Sequence, residues 1–142
     1  MSTPLSWPFE SRIKVIFRDL DAMGHVNNAV YFTYMETART SFFAERFRLA
    51  EPTRLPVIVA EATCTYLAPL YMGDLLTVHM GVSRIGQRSF DFAYLMTCDD
   101  GRTIARGRTS MVTYDYEQAR VIPIPDSLRT MLLSASIPAG DA

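Results

Sequence analysis

The sequence is poor in the residues that build metal centres and disulfides. Its 142 residues include only two cysteines, Cys64 and Cys98, and neither lies in a CxxC motif or near a pair of histidines. This spacing argues against a zinc site. We therefore predict two buried, reduced thiols.

A surplus of positive charge is also missing. The chain has 14 Lys and Arg residues against 15 Asp and Glu residues, which leaves a formal net charge of −1. Broad electrostatic binding to nucleic acid or to an anionic membrane normally needs a basic surplus. We therefore predict neither of them as a partner.

Long apolar runs are absent as well. No stretch of the sequence approaches the ~20 apolar residues that span a bilayer. Residues 1–10 lack the basic start and the apolar run of a signal peptide. A soluble protein of the reducing cytoplasm is the expectation that follows.

The composition is that of one globular domain. Apolar residues make up 49% of the chain and charged residues 20%, which is enough to bury a core. The sequence has no internal repeat and no low-complexity tract. We predict a single domain over residues 1–142, with a flexible lead-in at residues 1–10 and a loose tail at residues 135–142.

Hydrophobic periodicity predicts one long helix among strands. Alternating apolar residues predict a first strand over residues 12–18. Residues 29–50 contain no Gly or Pro and carry apolar residues at spacings of three to five, which predicts a helix capped by Asn27 or Asn28. Further strands are predicted at residues 57–67, 75–84, 89–98 and 103–116, with a short helix at residues 126–134.

This order of elements predicts an α+β fold. Short turns join the strands that follow the long helix, so these strands are expected to pair antiparallel, and the first strand must join the same sheet. The economical packing lays the apolar face of the helix across one face of a curved antiparallel sheet of about five strands.

Chemistry-bearing residues concentrate just before the long helix. Asp19, Asp21 and His25 fall within a few residues of Asn27 and Asn28. A helix N-terminus presents unpaired N–H groups and a positive dipole end, which suit an oxyanion, and a nearby carboxylate could serve as acid, base or nucleophile. Taken singly, the aspartates are typical of turns, the asparagines of helix caps and the histidine of a structural hydrogen bond.

A dense motif in this region resembles a known family. The run D-x-D-x-x-G-H-V-N-N-x-x-Y-x-x-Y-x-E-x-A-R resembles the signature of the hotdog-fold thioesterases, most closely the 4-hydroxybenzoyl-CoA thioesterase-like acyl-CoA thioesterases. The matching residues are Asp19, Asp21, Gly24, His25, Val26, Asn27, Asn28, Tyr31, Tyr34, Glu36, Ala38 and Arg39. Weaker likenesses at residues 66–70, 88–90 and 123–125 extend the resemblance over residues 13–133.

The resemblance implies roles for the catalytic residues. Asp21 would attack the thioester carbonyl or activate water, the backbone N–H of Asn28 would hold the oxyanion, and Asp19 would be structural. His25 is similar to the site histidine of plant acyl-ACP thioesterases. Met23, however, stands where those enzymes have an asparagine, so an asparagine-assisted mechanism is not implied.

The resemblance also implies substrate contacts and assembly. The substrate-binding candidates are Asn27, Tyr31, Glu61, Arg88 and Ser89. Arg88 matches a basic position beside the CoA nucleotide, whereas Glu61 either faces the acyl pocket of a partner subunit or points outward from its strand. Family members pair edge to edge and often form a dimer of dimers, a homotetramer, with the active sites at the interface. Neither a cofactor nor a metal is implied.

Other functions stay open at the level of sequence. The substrate could be a thioester of acyl carrier protein rather than of CoA, and a basic docking face would favour this. The chain could also bind acyl groups without turnover, or act as a dehydratase through His25 and Glu61. The acyl chain itself is not determined, because one methylene in an apolar pocket is worth only ~1–3 kcal/mol.

Overall fold

The structure is a computed structural model that describes residues 6–47 and 55–138. It confirms the predicted α+β fold with one long helix and an antiparallel sheet. The strands are β1 (Phe9–Lys14), β2 (Val57–Tyr66), β3 (Leu75–Ile85), β4 (Ser89–Cys98), β5 (Thr103–Asp115) and β6 (Arg120–Val121). The helices are α1 (Val30–Phe47) and α2 (Asp126–Ser134), and a short 3₁₀ turn covers Phe17–Asp19.

The sheet has the order β1-β3-β4-β5-β2, and every neighbouring pair is antiparallel. Consecutive hairpins join β3, β4 and β5, as the short turns predict. β2 does not pair with β3, which follows it in sequence, but lies at the far edge beside β5. The two edges of the sheet are thus β1 and β2, with the two-residue β6 added at the end of β5.

Helix α1 buries an aromatic face against the sheet. Phe42 is 0% exposed, and its ring makes edge-to-face contacts with Phe9, Phe43 and Phe92 at centroid distances of 5.4 to 5.6 Å. The contacts join helix α1 to β1 at one edge of the sheet and to β4 at its centre. This cluster therefore holds the helix, and the loop that precedes it, at a defined place on the sheet.

Truncation of Phe42 is expected to be strongly destabilising. Phe42→Ala removes a fully buried ring and leaves a cavity, so we expect the free energy of unfolding to fall by about 3–5 kcal/mol in urea denaturation. Phe32→Ala on the same helix is the matched control, because that ring is 36% exposed. The Phe32→Ala variant should lose less than about 1 kcal/mol of the free energy of unfolding. Equal losses for the two variants would contradict this account of the core.

The first strand lies earlier than the sequence predicts. β1 begins at Phe9, which is buried and pairs with Met80, and it ends at Lys14. The predicted strand over residues 12–18 is wrong at its end, because Phe17 belongs to the 3₁₀ turn and is 79% exposed. The predicted lead-in is likewise too long, since its last two residues are in β1. Residues 1–5 lie outside the described part of the chain.

The C-terminal segment is more ordered than predicted. Ala135 and Ile137 are buried, and both form backbone hydrogen bonds with Val82 of β3. The predicted loose tail at residues 135–142 is therefore wrong for residues 135–137. Residues 139–142 lie outside the described part, as do residues 48–50, the last three of the predicted long helix.

Three further observations complete the fold. Both cysteines are free, with Cys98 buried as predicted and Cys64 only half-buried. No helix within residues 6–47 and 55–138 is long and apolar enough to cross a membrane. The same residues contain no cluster of three His, Cys, Asp or Glu side chains suited to a metal ion.

Candidate active site

The loop between β1 and α1 folds back on itself. The N–H of Asp21 donates to the carbonyl of His25 at 3.0 Å, and Leu20 and Val26 form an antiparallel bridge. Gly24 closes the loop with a φ of 86°, a left-handed conformation that strains other residues. The two arms of the loop therefore bring Asp21 and His25 side by side, although neither lies in a regular element.

The start of helix α1 leaves the N–H of Asn28 available. The side-chain oxygen of Asn27 accepts the N–H of Ala29 at 3.0 Å, an Asx turn that leads into the helix, and the carbonyl of Asn27 accepts the N–H of Val30. Among the described residues, the N–H of Asn28 has no acceptor. Because this group lies at the positive end of the helix dipole, it suits a developing negative charge.

A cavity of about 460 Å³ gathers the predicted catalytic residues. The loop contributes Asp21 and His25, and the start of α1 contributes Asn28 and Tyr31. Its other lining residues are Met23, Val26, Tyr66, Leu67, Ala68 and Pro69. The structure therefore brings Asp21, His25, Asn28 and Tyr31 together around one space at the end of β2.

The Asp21 side chain is held by its own loop. Its Oδ1 accepts the backbone N–H of Met23 at 2.9 Å, and the residue as a whole is half-buried. The other oxygen, Oδ2, has no partner among the described residues, so it is available to a substrate or a water molecule. Met23 thus contributes a backbone donor to this carboxylate.

His25 lies in the cavity without a strong partner. Its Nδ1 is 3.4 Å from the carbonyl of Val26, a long contact, and no carboxylate among the described residues orients the ring. A general base normally needs such an orienting group. This geometry favours a polar contact to substrate for His25 over the role of principal base.

Two tyrosines, Tyr31 of helix α1 and Tyr66 of β2, line the cavity and contact each other. The Tyr66 hydroxyl donates to the carbonyl of Asn28 at 2.8 Å, and its ring contacts Tyr31 edge-on at 4.9 Å. Burial raises the pKa of Tyr31 to about 12, so its hydroxyl stays protonated at neutral pH. The sequence does not predict Tyr66 as a site residue, although it belongs to a segment that resembles the family.

The remaining predicted substrate contacts lie elsewhere in this chain. Glu61 points away from the helix and pairs with Arg108 at 2.6 Å. Arg88 and Ser89 sit at the β3–β4 hairpin, at the opposite end of the sheet from Tyr66. Tyr66 pairs with Ala105 of β5 and Ser89 with Val112, so about seven positions, or ~23 Å, separate them. A single chain does not bring Glu61, Arg88 or Ser89 to Asp21.

Four arginines on the later strands and turns, Arg84, Arg88, Arg106 and Arg108, differ in whether a carboxylate binds them. Asp91 is only 5% exposed and binds Arg84 at 3.0 Å and Arg108 at 3.4 Å. Burial alone would raise the pKa of Asp91, but hydrogen bonds from Arg84 and Ser110 and the two arginine charges bring it below its usual value. Arg84 and Arg108 are therefore engaged in ion pairs, whereas Arg88 and Arg106 have no carboxylate partner among the described residues.

A second cavity of about 290 Å³ lies between α1 and the start of β2. Its walls are largely apolar, with Arg39 and Glu36 of the helix at one side. Arg39 donates to the buried hydroxyl of Tyr94 at 3.3 Å and meets no carboxylate within the described residues. The complete lining is Glu36, Arg39, Thr40, Phe43, Leu55, Val57, Ile58, Val59, Met111 and Tyr116.

Comparison with known proteins identifies the family. Residues 15–132, which include the whole loop and helix α1, match the model described as the thioesterase-like superfamily. The chain belongs to this superfamily. The predicted resemblance to hotdog-fold thioesterases is thereby confirmed, as is the prediction of a thioester hydrolase at the level of the family.

Relatives of known activity cover nearly the whole chain. The long-chain acyl-CoA thioesterase FadM of Escherichia coli is 25% identical over 126 residues, covering 87% of this chain and 96% of that protein. The 1,4-dihydroxy-2-naphthoyl-CoA hydrolase of Thermosynechococcus vestitus is 29% identical over 135 residues, covering 89% of this chain and 90% of that protein. A thioesterase from Thermus thermophilus, solved in complex with coenzyme A and Zn, matches with a TM-score of 0.80 and 33% sequence identity. The match covers 91% of this chain and 95% of that chain.

Proposed function

We propose that this protein is a cytoplasmic enzyme that hydrolyses acyl-CoA thioesters to a free acid and CoA. The observation that carries the proposal is the cavity at the start of helix α1, which Asp21 and Asn28 line together. Family membership and relatives that act on CoA thioesters support the same chemistry.

The reaction needs no cofactor in this proposal. Asp21 either bonds directly to the thioester carbon, so that the C–S bond breaks and water hydrolyses the resulting anhydride, or takes a proton from an attacking water. In both routes negative charge develops on the carbonyl oxygen. The N–H of Asn28 and the helix dipole would stabilise that charge in the transition state.

The complete site is proposed to form between two copies of the chain. β2 is a ten-residue edge strand with exposed apolar side chains, among them Ile58, Val59 and Tyr66. Such an edge is prone to pair with another strand unless it is covered. An antiparallel β2–β2 pair would extend the sheet across a homodimer.

The β2–β2 pairing would also explain why some predicted substrate-binding residues lie far from Asp21 in a single chain. It places the start of the partner's β2 next to Tyr66, so the partner's second cavity would adjoin the Asp21 cavity and could receive the acyl group. The β3–β4 hairpin lies at that same end of the sheet, since Ser89 and Ile58 both pair with Val112. Arg88 would then approach the mouth of the other chain's site.

The first test is release of free CoA thiol from a panel of acyl-CoA esters. Short aliphatic, long aliphatic and aromatic esters should be compared at equal concentration, with the same acyl groups on acyl carrier protein run in parallel. Turnover of at least one CoA ester is expected. Turnover of carrier-protein esters alone, or binding without release of thiol, would contradict the proposal.

Arg88→Ala is expected to weaken recognition of CoA without slowing the chemistry. Loss of one charge-assisted phosphate contact should raise KM for acyl-CoA by about 10-fold and leave kcat within twofold. KM for the corresponding acyl-pantetheine, which lacks the nucleotide, should not change. Arg120→Ala, on the exposed strand β6, is the control variant. An equal rise in KM for both thioesters would exclude nucleotide contact by Arg88.

A further inference from the structure

Tyr34 carries a buried hydroxyl that the proposed reaction does not use. The side chain lies on helix α1 and is 3% exposed, and its hydroxyl donates to Oδ2 of Asp19 at 2.9 Å. Burial, together with this hydrogen bond, holds the pKa of Tyr34 well above its usual value. The hydroxyl is therefore a permanent donor that ties the helix to the preceding loop.

Asp19 also accepts hydrogen bonds from both arms of the loop. Its Oδ2 also accepts the N–H of Ile16 at 3.2 Å, and its backbone carbonyl accepts the N–H of Asn27 at 3.0 Å. Asp21 follows Asp19 by two residues on the entering arm. Asn28 follows Asn27 directly on the leaving arm. Movement of Asp19 would therefore displace the carboxylate and the oxyanion donor relative to each other.

We propose that Tyr34 is a positioning residue, whose hydrogen bond to Asp19 sets the distance between the Asp21 carboxylate and the Asn28 N–H. The inference rests on the proposed function of those two groups. Catalytic geometry is sensitive at this scale, because a misplacement of about 1 Å can cost ~10²-fold in rate. The ring of Tyr34 packs against Tyr31 at 6.0 Å, so a phenylalanine keeps the packing and loses only the hydroxyl.

The variant Tyr34→Phe distinguishes a role of Tyr34 in positioning the site from a role in stabilising the fold. We expect kcat per folded molecule to fall by about 10- to 100-fold, with KM within twofold and Tm lower by no more than about 4 °C. Tyr114→Phe removes the same atom from a tyrosine outside the site and should leave kcat unchanged. A lowered Tm with unchanged kcat would show a structural role and overturn the inference.

Variants of Asp19 test whether Tyr34 acts through this carboxylate. Asp19→Ala should lower kcat at least as much as Tyr34→Phe, and the double variant should be no worse than Asp19→Ala alone. Asp19→Asn keeps an oxygen that can accept from Tyr34 and should recover most of the activity lost in Asp19→Ala. Losses that multiply in the double variant would overturn the inference.

The same set distinguishes failure of this inference from failure of the proposed function. If Asp21→Asn abolishes activity while Tyr34→Phe is fully active, the positioning role is wrong and the function stands. If Asp21→Asn is as active as the wild type, the proposed function fails, and the inference fails with it.

Discussion

Asp21→Asn is expected to lower kcat by about 10²- to 10⁴-fold on the preferred acyl-CoA ester, with little change in KM. Asparagine has nearly the same shape and can still accept the N–H of Met23, so the loop should keep its conformation. It lacks the negative charge that either attacks the thioester carbon or removes a proton from water. The measurement is release of thiol under saturating substrate, with Tm recorded for each variant.

The matched control for this experiment is Asp99→Asn. Asp99 is an exposed carboxylate that pairs with Arg12 at 2.8 Å, away from the cavity. Its loss should cost less than about 1 kcal/mol of stability and leave kcat within twofold. Wild-type activity in Asp21→Asn would exclude Asp21 as the reacting group and direct attention to His25, which lines the same cavity.

Ala62→Lys is expected to weaken the proposed homodimer and, with it, the activity. Ala62 lies near the middle of β2 and is exposed in the single chain, so the monomer should fold normally. In a β2–β2 pair the two lysines would face each other across the interface, where like charges repel and are poorly hydrated. We expect the dimer Kd to rise by about 100-fold or more, or about 3 kcal/mol.

Light scattering coupled to size exclusion, over a range of concentrations, measures this effect directly. kcat/KM should fall with the dimer population, because each proposed site takes residues from both chains. Gln118→Lys, on the exposed turn after β5, adds the same charge elsewhere and should change neither property. A fully dimeric Ala62→Lys variant would contradict β2 as the interface, and an active monomer would show that one chain suffices.

Much of the fold follows from local patterns. Strand β4 and helix α2 have the bounds that alternation, turn residues and prolines predict, and α1 begins within one residue of its predicted start. These elements are set by contacts within a few residues of each other. The sequence predicts the first strand too late in the chain, because the alternation of Ile13, Val15 and Phe17 continues beyond the point where the backbone turns away from the sheet.

The grouping of the candidate catalytic residues in one cavity also follows from the sequence, for a local reason. Asp21, His25 and Asn28 lie within one short segment, so a tight loop before a helix must bring them close together. The sequence does not predict Tyr66 in the site, because this residue lies 38 positions after Asn28 and reaches the site only through its hydrogen bond to the Asn28 carbonyl. Glu61, Arg88 and Ser89 were placed by resemblance, and one chain does not carry them to Asp21.

The sequence by itself determined the helix, most of the strands and the cluster of groups at the helix start, because each depends on neighbours along the chain. Only the tertiary structure decided that β2 lies beside β5 as an exposed edge, and that Tyr34 reaches back to Asp19. It also decided that Arg84 and Arg108 are engaged by Asp91 while Arg88 stays without a carboxylate partner in the described residues. These relations join residues far apart in sequence, and the packing of helix and sheet around one core creates them.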